Sequence, residues 1–451
     1  MDEFSKSETF DAVLTIMFAH FCVLQQRRTF LQVRNTVPHQ SQIQRRNLML
    51  HGSIVFLALL VCFPVFAMPQ SVIVRFDNLS QDLVLKRLDK NLFQVQSSAL
   101  QVQLAPRLIV KVSRATPASV LKQRIAGEVQ ISELFLMRQE QYLLLSFTDM
   151  EQALSALHQL QQDPLILLVQ PDLQQKRVQA QLKTAARPDL TEPALPAYLQ
   201  WAKAHLNWNA GAGKGVTVAV IDDGFDLSHT EFGQLDVTLH YDFNRKKLLN
   251  SQTEHSQGQH GTKVAGVLFA AQNGVAPEGL VPAATLVAIA QPDTWTSHTL
   301  QSFYIAYLAG ADVINCSWHS RLLLQPVVDV VNELAAIGRQ GKGTAVVFAA
   351  GNEGKQLTAQ MHEASIASAI TVAADDKYGQ PLPKSNFGAM VDLWAFGGPA
   401  VSAAPAGQYD SFAGTSLSAA IVSGYMALLF SRYPELQLGQ AQQQLADLME
   451  L

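Results

Sequence analysis

From residue 107 onward, apolar and polar positions fall into two successive patterns. Residues 107–112 (RLIVKV) read as a strand, 117–125 (PASVLKQRI) as a short helix with proline near its start, and 129–137 and 142–147 as strands. Residues 150–162 follow as an amphipathic helix and 166–170 (ILLVQ) as a strand. This β-α-β-β-α-β order predicts a ferredoxin-like α+β module over 107–173, a four-stranded sheet with two helices on one face. Upstream, 68–106 alternates in pieces such as 71–76 and 92–95, which predicts a strand-rich segment without an evident role. Downstream, 174–197 loses its periodicity and gains Lys, Arg, Gln and Pro. That is the composition of an exposed linker, and it contains the dibasic pair Lys176-Arg177.

The second pattern fills 198–451. After a helical stretch at 198–206, β-branched apolar runs recur at 216–221 (VTVAVI), 285–289 (TLVAI), 313–316 (VINC), 345–349 (AVVFA) and 369–373 (AITVA). Helical stretches such as 299–308 and 326–340 lie between them. Near-continuous apolar strands alternating with helices predict an α/β domain, a doubly wound, mostly parallel sheet with helices on both faces. Functional residues in such folds gather at the C-terminal ends of the strands.

Composition changes this picture little. A length of 451 residues with 48% hydrophobic and 16% charged residues describes a globular chain with a sizeable core. A net charge of −4 without a long basic block argues against nucleic acid as a partner. The three cysteines, Cys22, Cys62 and Cys316, form neither a disulfide framework nor a zinc motif.

The N-terminal region does add something. Arg45-Arg46 precedes an apolar run at 53–67 that ends with Val65 and Ala67 at the −3 and −1 positions, the pattern of a signal peptide. With Met49 as a natural initiator, 49–67 is expected to be the signal and 1–48 an upstream extension that is not native. The protein would then be secreted or periplasmic, with Cys316 as its only cysteine.

Candidate chemistry sits where the fold predicts it. Asp222 ends a strand in VAVIDDG, His260 opens an apolar helix in GQHGTKVAGV, Asn352 follows a strand in AAGNEG, and Ser416 follows a small-residue turn in AGTSLSAAIVSG. Singly, each has an ordinary role. Asp222 suits a turn, Asn352 a left-handed backbone, Ser416 a helix cap, and His260 is one of 12 histidines. Together they supply an acid, a base, a nucleophile and an amide donor on one scaffold. The Ser-Asp-His order and G-x-S-x-G motif of an α/β-hydrolase are not met, because Ser418 ends the motif.

The segments VAVIDDG, HGTKVAGV, ADVINCS, AAGNEG and GTSLSAA, in this order, resemble the subtilisin-like serine protease family from about Tyr198 onward. The upstream module resembles the family's inhibitory propeptide. The resemblance implies Ser416 as nucleophile, His260 as general base, Asp222 as its orienting acid and Asn352 as oxyanion donor. It also implies Ser317, Trp318 and His319 as the substrate-binding strand. The expected activity is that of a secreted serine endopeptidase, matured by autocatalytic propeptide removal. Its partners would be a protein or peptide substrate and its own propeptide as intramolecular inhibitor, and the mature enzyme is expected to be a monomer. No cofactor is expected for the chemistry. Structural calcium is common in the family, and Glu231 stands where many members have an Asp ligand. The rival readings are a degenerate fold kept for binding and a processing protease of narrow duty.

Three departures from the family pattern stand out. Ala420 replaces a proline four residues after the nucleophile, and His319 replaces a glycine. The pair Asp222-Asp223 and Lys263 after HGT resemble the kexin branch. That branch implies that Asp223 binds a basic side chain near the cut and that Lys176-Arg177 is the processing site.

Overall fold

The computed structural model describes residues 72–179, 195–209, 211–274 and 277–450. The expected upstream extension 1–48, the signal 49–67 and residues 180–194 of the linker lie outside the described residues. Among the described residues, no helix is long and apolar enough to cross a membrane.

The first sheet is built from β1 (Ile73–Asn78), β2 (Gln81–Arg87), β3 (Leu92–Val95), β4 (Gln101–Ser113), β5 (Gln130–Leu136), β6 (Glu140–Ser146) and β7 (Ile166–Gln174). Helix α1 (Ala118–Arg124) joins β4 to β5, and α2 (Met150–Leu160) joins β6 to β7. All pairings are antiparallel, and β5-β6-β4-β7 run side by side. β4 is longer than its apolar run at 107–112. Its N-terminal part pairs with β3, so the hairpins of β1 to β3 extend the same sheet. α2 begins where the Asp149 side chain accepts from the Gln152 N–H at 2.9 Å.

β8 (Val178–Gln179) and α3 (Ala197–His205) follow, then the large sheet. Its strands are β9 (Thr217–Asp222), β10 (Val237–Asp242), β11 (Lys247–Leu248), β12 (Thr285–Ala290), β13 (Val313–Cys316), β15 (Ala345–Ala349), β16 (Ile370–Asp375) and β17 (Leu393–Phe396). The short β14 (Trp318–His319) lies off this sheet and pairs with β8. The order β11-β10-β12-β9-β13-β15-β16-β17 is parallel except at β11. The connections run to one side of β9 and then to the other, which opens a crevice at the C-terminal strand ends.

Both faces are covered, which is why the strands read as unbroken apolar runs. In β9, Val218 and Val220 join one core with α4 (His260–Phe269), α7 (Thr415–Arg432) and α8 (Leu438–Met449). Ala219 and Ile221 are equally buried on the other side, where α5 (Thr296–Leu308) and α6 (Gln325–Gly341) pack together. α7 is buried all round from Thr415 to Phe430, the pattern of a helix at the centre of a domain.

The small module docks on α5 and α6. Asp172 accepts from the Ser297 N–H at 3.0 Å and the Ser297 hydroxyl at 2.8 Å, placing a carboxylate at the start of α5. Arg107 pairs with the same carboxylate at 2.6 Å. The Asp329 carboxylate of α6 accepts from the Tyr142 hydroxyl at 2.7 Å and from Lys111 at 2.9 Å. Phe135 packs against Tyr304, with ring centroids 5.1 Å apart.

Candidate active site

Asp222 is the last residue of β9, and His260 opens α4. They meet because α4 approaches the strand end with no side chain between: a Cβ on Gly261 would lie 2.4 Å from the Gly224 carbonyl. The His260 Nδ1 is 2.9 Å from both carboxylate oxygens of Asp222. Its Nε2 is 3.0 Å from the Ser416 Oγ. All three side chains are buried.

Ser416 is not the cap of its helix. Gly414 is, at φ 92°, a conformation that favours glycine. Ser416 therefore lies in the first turn, where backbone N–H groups have no partner within the helix. Its Oγ also lies 2.9 Å from the Ser317 carbonyl, and its own carbonyl accepts from the Ser317 hydroxyl at 2.9 Å. α7 runs unbroken through the fully buried Ala420. In helix geometry the Ala420 N–H faces the Ser416 carbonyl, so alanine keeps a tie that proline would lack.

The Asn352 Oδ1 accepts from the Thr415 N–H at 3.1 Å, while its Nδ2 is buried without a partner. An orphaned buried amide is costly. This one belongs to the side chain that bonds the first residue of α7, next to Ser416.

Burial opposes the His260 imidazolium, but the Asp222 charge and hydrogen bond outweigh it and raise the pKa above its usual value. When the ring is neutral, the Ser416 hydroxyl can donate to Nε2. When the ring is charged, Nε2–H donates to Oγ, and the hydroxyl proton turns to Ser317. The arrangement can therefore pass a proton between an oxygen nucleophile and a ring nitrogen whose other side is anchored.

Asp223 lies beside the relay. Its carboxylate accepts from the N–H groups of His260 and Gly261 at 3.1 Å each, at the start of α4. Burial, and then the Asp222 charge, raise its pKa. From the linker side its contact is Gln179, at 2.7 Å, whereas Arg177 packs elsewhere. Lys263 pairs with Asp410 and the Ser411 carbonyl.

β14 leaves Ser317 and forms an antiparallel ladder with β8, Val178 opposite His319 and Gln179 opposite Trp318. Residues 174–179, expected as free linker, are therefore held, because a strand edge offers unpaired backbone groups. The His319 ring stacks on His362 at 4.2 Å, and its Nε2 faces Glu353 at 3.3 Å. Burial works against the His319 charge, but Glu353 raises its pKa overall. Burial also opposes the Glu353 carboxylate, yet His319 and Asn386 hold it down to about 2. Burial, and then the charge of His319, push His362 down to about 3. Glu353 lies in AAGNEG without being singled out there, and no motif flagged His362 or the fully buried Gln291, whose carbonyl and side-chain oxygens face Arg177.

The buried Glu231 carboxylate, the expected calcium candidate, has partners within the protein. One carboxylate oxygen accepts from the Tyr409 hydroxyl at 2.7 Å, and the other faces the Asn273 amide at 3.4 Å. Among the described residues no group of three or more His, Cys, Asp or Glu side chains is arranged to hold a metal ion.

The chain is similar to several known proteins. The thermophilic serine proteinase of Bacillus sp. (strain AK1) is 33% identical over 253 residues, 53% of this chain and 59% of that protein. Thermitase of Thermoactinomyces vulgaris is 31% identical over 52% of this chain and 81% of its own length. The crystal structure of fervidolysin from Fervidobacterium pennivorans superposes with a TM-score of 0.58 at 21% identity, covering 75% of this chain and 56% of that one, a likeness of fold. Against the first of these relatives, the chain spans under two thirds of the relative's length. The Subtilase family model matches residues 213–449, more than half of the sequence, and the chain belongs to that family.

Proposed function

We propose that the protein is a serine endopeptidase that cleaves peptide bonds through an acyl-enzyme. The observation that carries this reading is the buried Asp222–His260–Ser416 relay, with steps of 2.9 and 3.0 Å, next to the orphaned Asn352 amide. Ser416 Oγ attacks the peptide carbonyl carbon as its proton passes to His260 Nε2. Asp222 keeps the other ring nitrogen protonated and stabilises the imidazolium. The oxyanion accepts from Asn352 Nδ2 and from the Ser416 N–H in the first turn of α7. Collapse breaks the C–N bond, and the amine leaves with the proton from His260. Water, activated by the same ring, then hydrolyses the ester.

The module at 107–173, with the segment that follows it through Gln179, acts as an intramolecular inhibitor and is removed by self-cleavage. The support is that Val178 and Gln179 occupy the edge of β14 beside Ser317, where an extended substrate would pair. Export rests on the signal-like run at 49–67.

The test is labelling of the self-processed protein with a fluorophosphonate probe. Wild type is expected to label and to hydrolyse peptides, and Ser416→Ala to do neither. A folded wild type that neither labels nor hydrolyses would overturn the reading.

A further inference from the structure

The strand along β14 carries one side chain into a pocket of unusual chemistry. The Arg177 guanidinium lies over the Trp318 indole, its carbon 3.3 Å from the ring centroid. Trp318 is almost fully buried and cannot turn away. Its Nε1–H donates to the Ile221 carbonyl at 2.7 Å, and Phe348 packs against it edge-on at 5.5 Å. Arg177 Nη1 donates to the Gln291 carbonyl at 3.2 Å, and Nη2 to the Gln291 Oε1 at 2.9 Å. The orientation of that amide is fixed. The Thr299 hydroxyl gives its proton to the Trp295 carbonyl, so it can only accept from Gln291 Nε2, at 2.9 Å. Oε1 is left aimed at the guanidinium.

The same cleft, about 510 Å³, is lined by Arg177, Val178 and Gln179 together with Asp222, Asp223, Gln291 and Trp318. In this ladder Val178 faces His319 and Gln179 faces Trp318. A substrate strand in the same register places its next residue opposite Ser317, beside Ser416. The Arg177 side chain thus marks the position three residues before that one.

We infer that the Trp318 face and the Gln291 oxygens form a guanidinium-selective subsite, so that the preferred substrates carry arginine three residues before the residue opposite Ser317. This rests on the endopeptidase reading and names the substrate class of that site. Direct recognition is by a π face and two neutral oxygens, while the carboxylates of Glu363, Asp222 and Asp293 add longer-range attraction. Lysine is discriminated against, because an ammonium cannot stack as a plane or donate to both oxygens as a fork. Because the guanidinium is buried, the preference is less sensitive to salt than that of an exposed acidic subsite.

The experiment uses the self-processed protein and fluorogenic peptides identical except for Arg, Lys, Leu or Glu at this position. The expected kcat/KM favours Arg over Leu by about tenfold or more, at low and high salt alike. Trp318→Phe retains much of the preference, whereas Trp318→Leu and, independently, Gln291→Leu flatten it. Equal rates for Arg and Leu, or an undiminished preference in both leucine variants, would overturn the subsite while probe labelling of Ser416 upholds the protease. Absence of both labelling and cleavage would overturn the endopeptidase reading and this inference with it.

Discussion

Replacing Asn352 by alanine separates catalysis from stability at one residue. In the folded protein the side chain does two opposed things. Its Oδ1 accepts from the Thr415 N–H at 3.1 Å and the Thr415 hydroxyl at 3.3 Å, while its Nδ2 is buried with no partner. Truncation leaves the buried Thr415 N–H without its acceptor, at about 1–3 kcal/mol, and relieves an orphaned Nδ2 donor of about the same cost. The terms nearly cancel, so the unfolding free energy should stay within roughly 1 kcal/mol of wild type. Turnover should not survive in the same way. The fall of about 10²–10³ in kcat on losing one oxyanion donor is subtilisin's own value, carried over by family membership. The assay is kcat and KM on an arginine-containing fluorogenic peptide, run beside urea unfolding. Asn352→Asp, which keeps the acceptor and loses the donor, should be at least as inactive. A kcat within about threefold of wild type, or a rise confined to KM, would refute the oxyanion role. A loss of roughly 3 kcal/mol in stability would make the residue structural instead.

Other consequences follow from the same contacts. Because Asp222 raises the pKa of His260 above its usual value of 6.5, and the base must be neutral, kcat/KM should fall as pH drops through a value above 6.5. A limb centred below 6.5 in the pH profile would contradict this. Asp222→Asn should lower kcat by about 10⁴, the order known for such triads including subtilisin's, by favouring the wrong tautomer, with little change in KM. Asp223→Ala removes the carboxylate that accepts from the first N–H groups of α4, and should cost about 1–2 kcal/mol in urea unfolding. Asp172→Ala strips the start of α5 and strands Arg107, and should destabilise the full chain by about 3 kcal/mol in the same assay. No measurable change in either variant would argue against these caps.

Much of the large domain is legible in the sequence because its strands are buried on both faces. Runs such as VTVAVI and AVVFA announce themselves without alternation. β10 (VTLHYD) and β17 (LWAF) escape notice, since they are polar or short and owe their place to parallel neighbours. At the other extreme, Val178–Gln179 has no strand pattern of its own, and is extended only because β14 offers an edge. His319 and Ala420 can be singled out as departures from the family, but not for what they touch.

The sequence by itself determined the acid at a strand end, the histidine and serine at helix starts, and the amide after a strand. Those positions follow from local backbone geometry, which short motifs record. Only the tertiary structure decided that His260 and Ser416, 156 residues apart, lie at 3.0 Å, and that Asn352 keeps an unpaired amide beside them. It alone seated Arg177 on Trp318 and turned the Gln291 oxygen toward it. Such contacts depend on which faces of distant elements meet and in what register. No run of neighbouring residues carries that information.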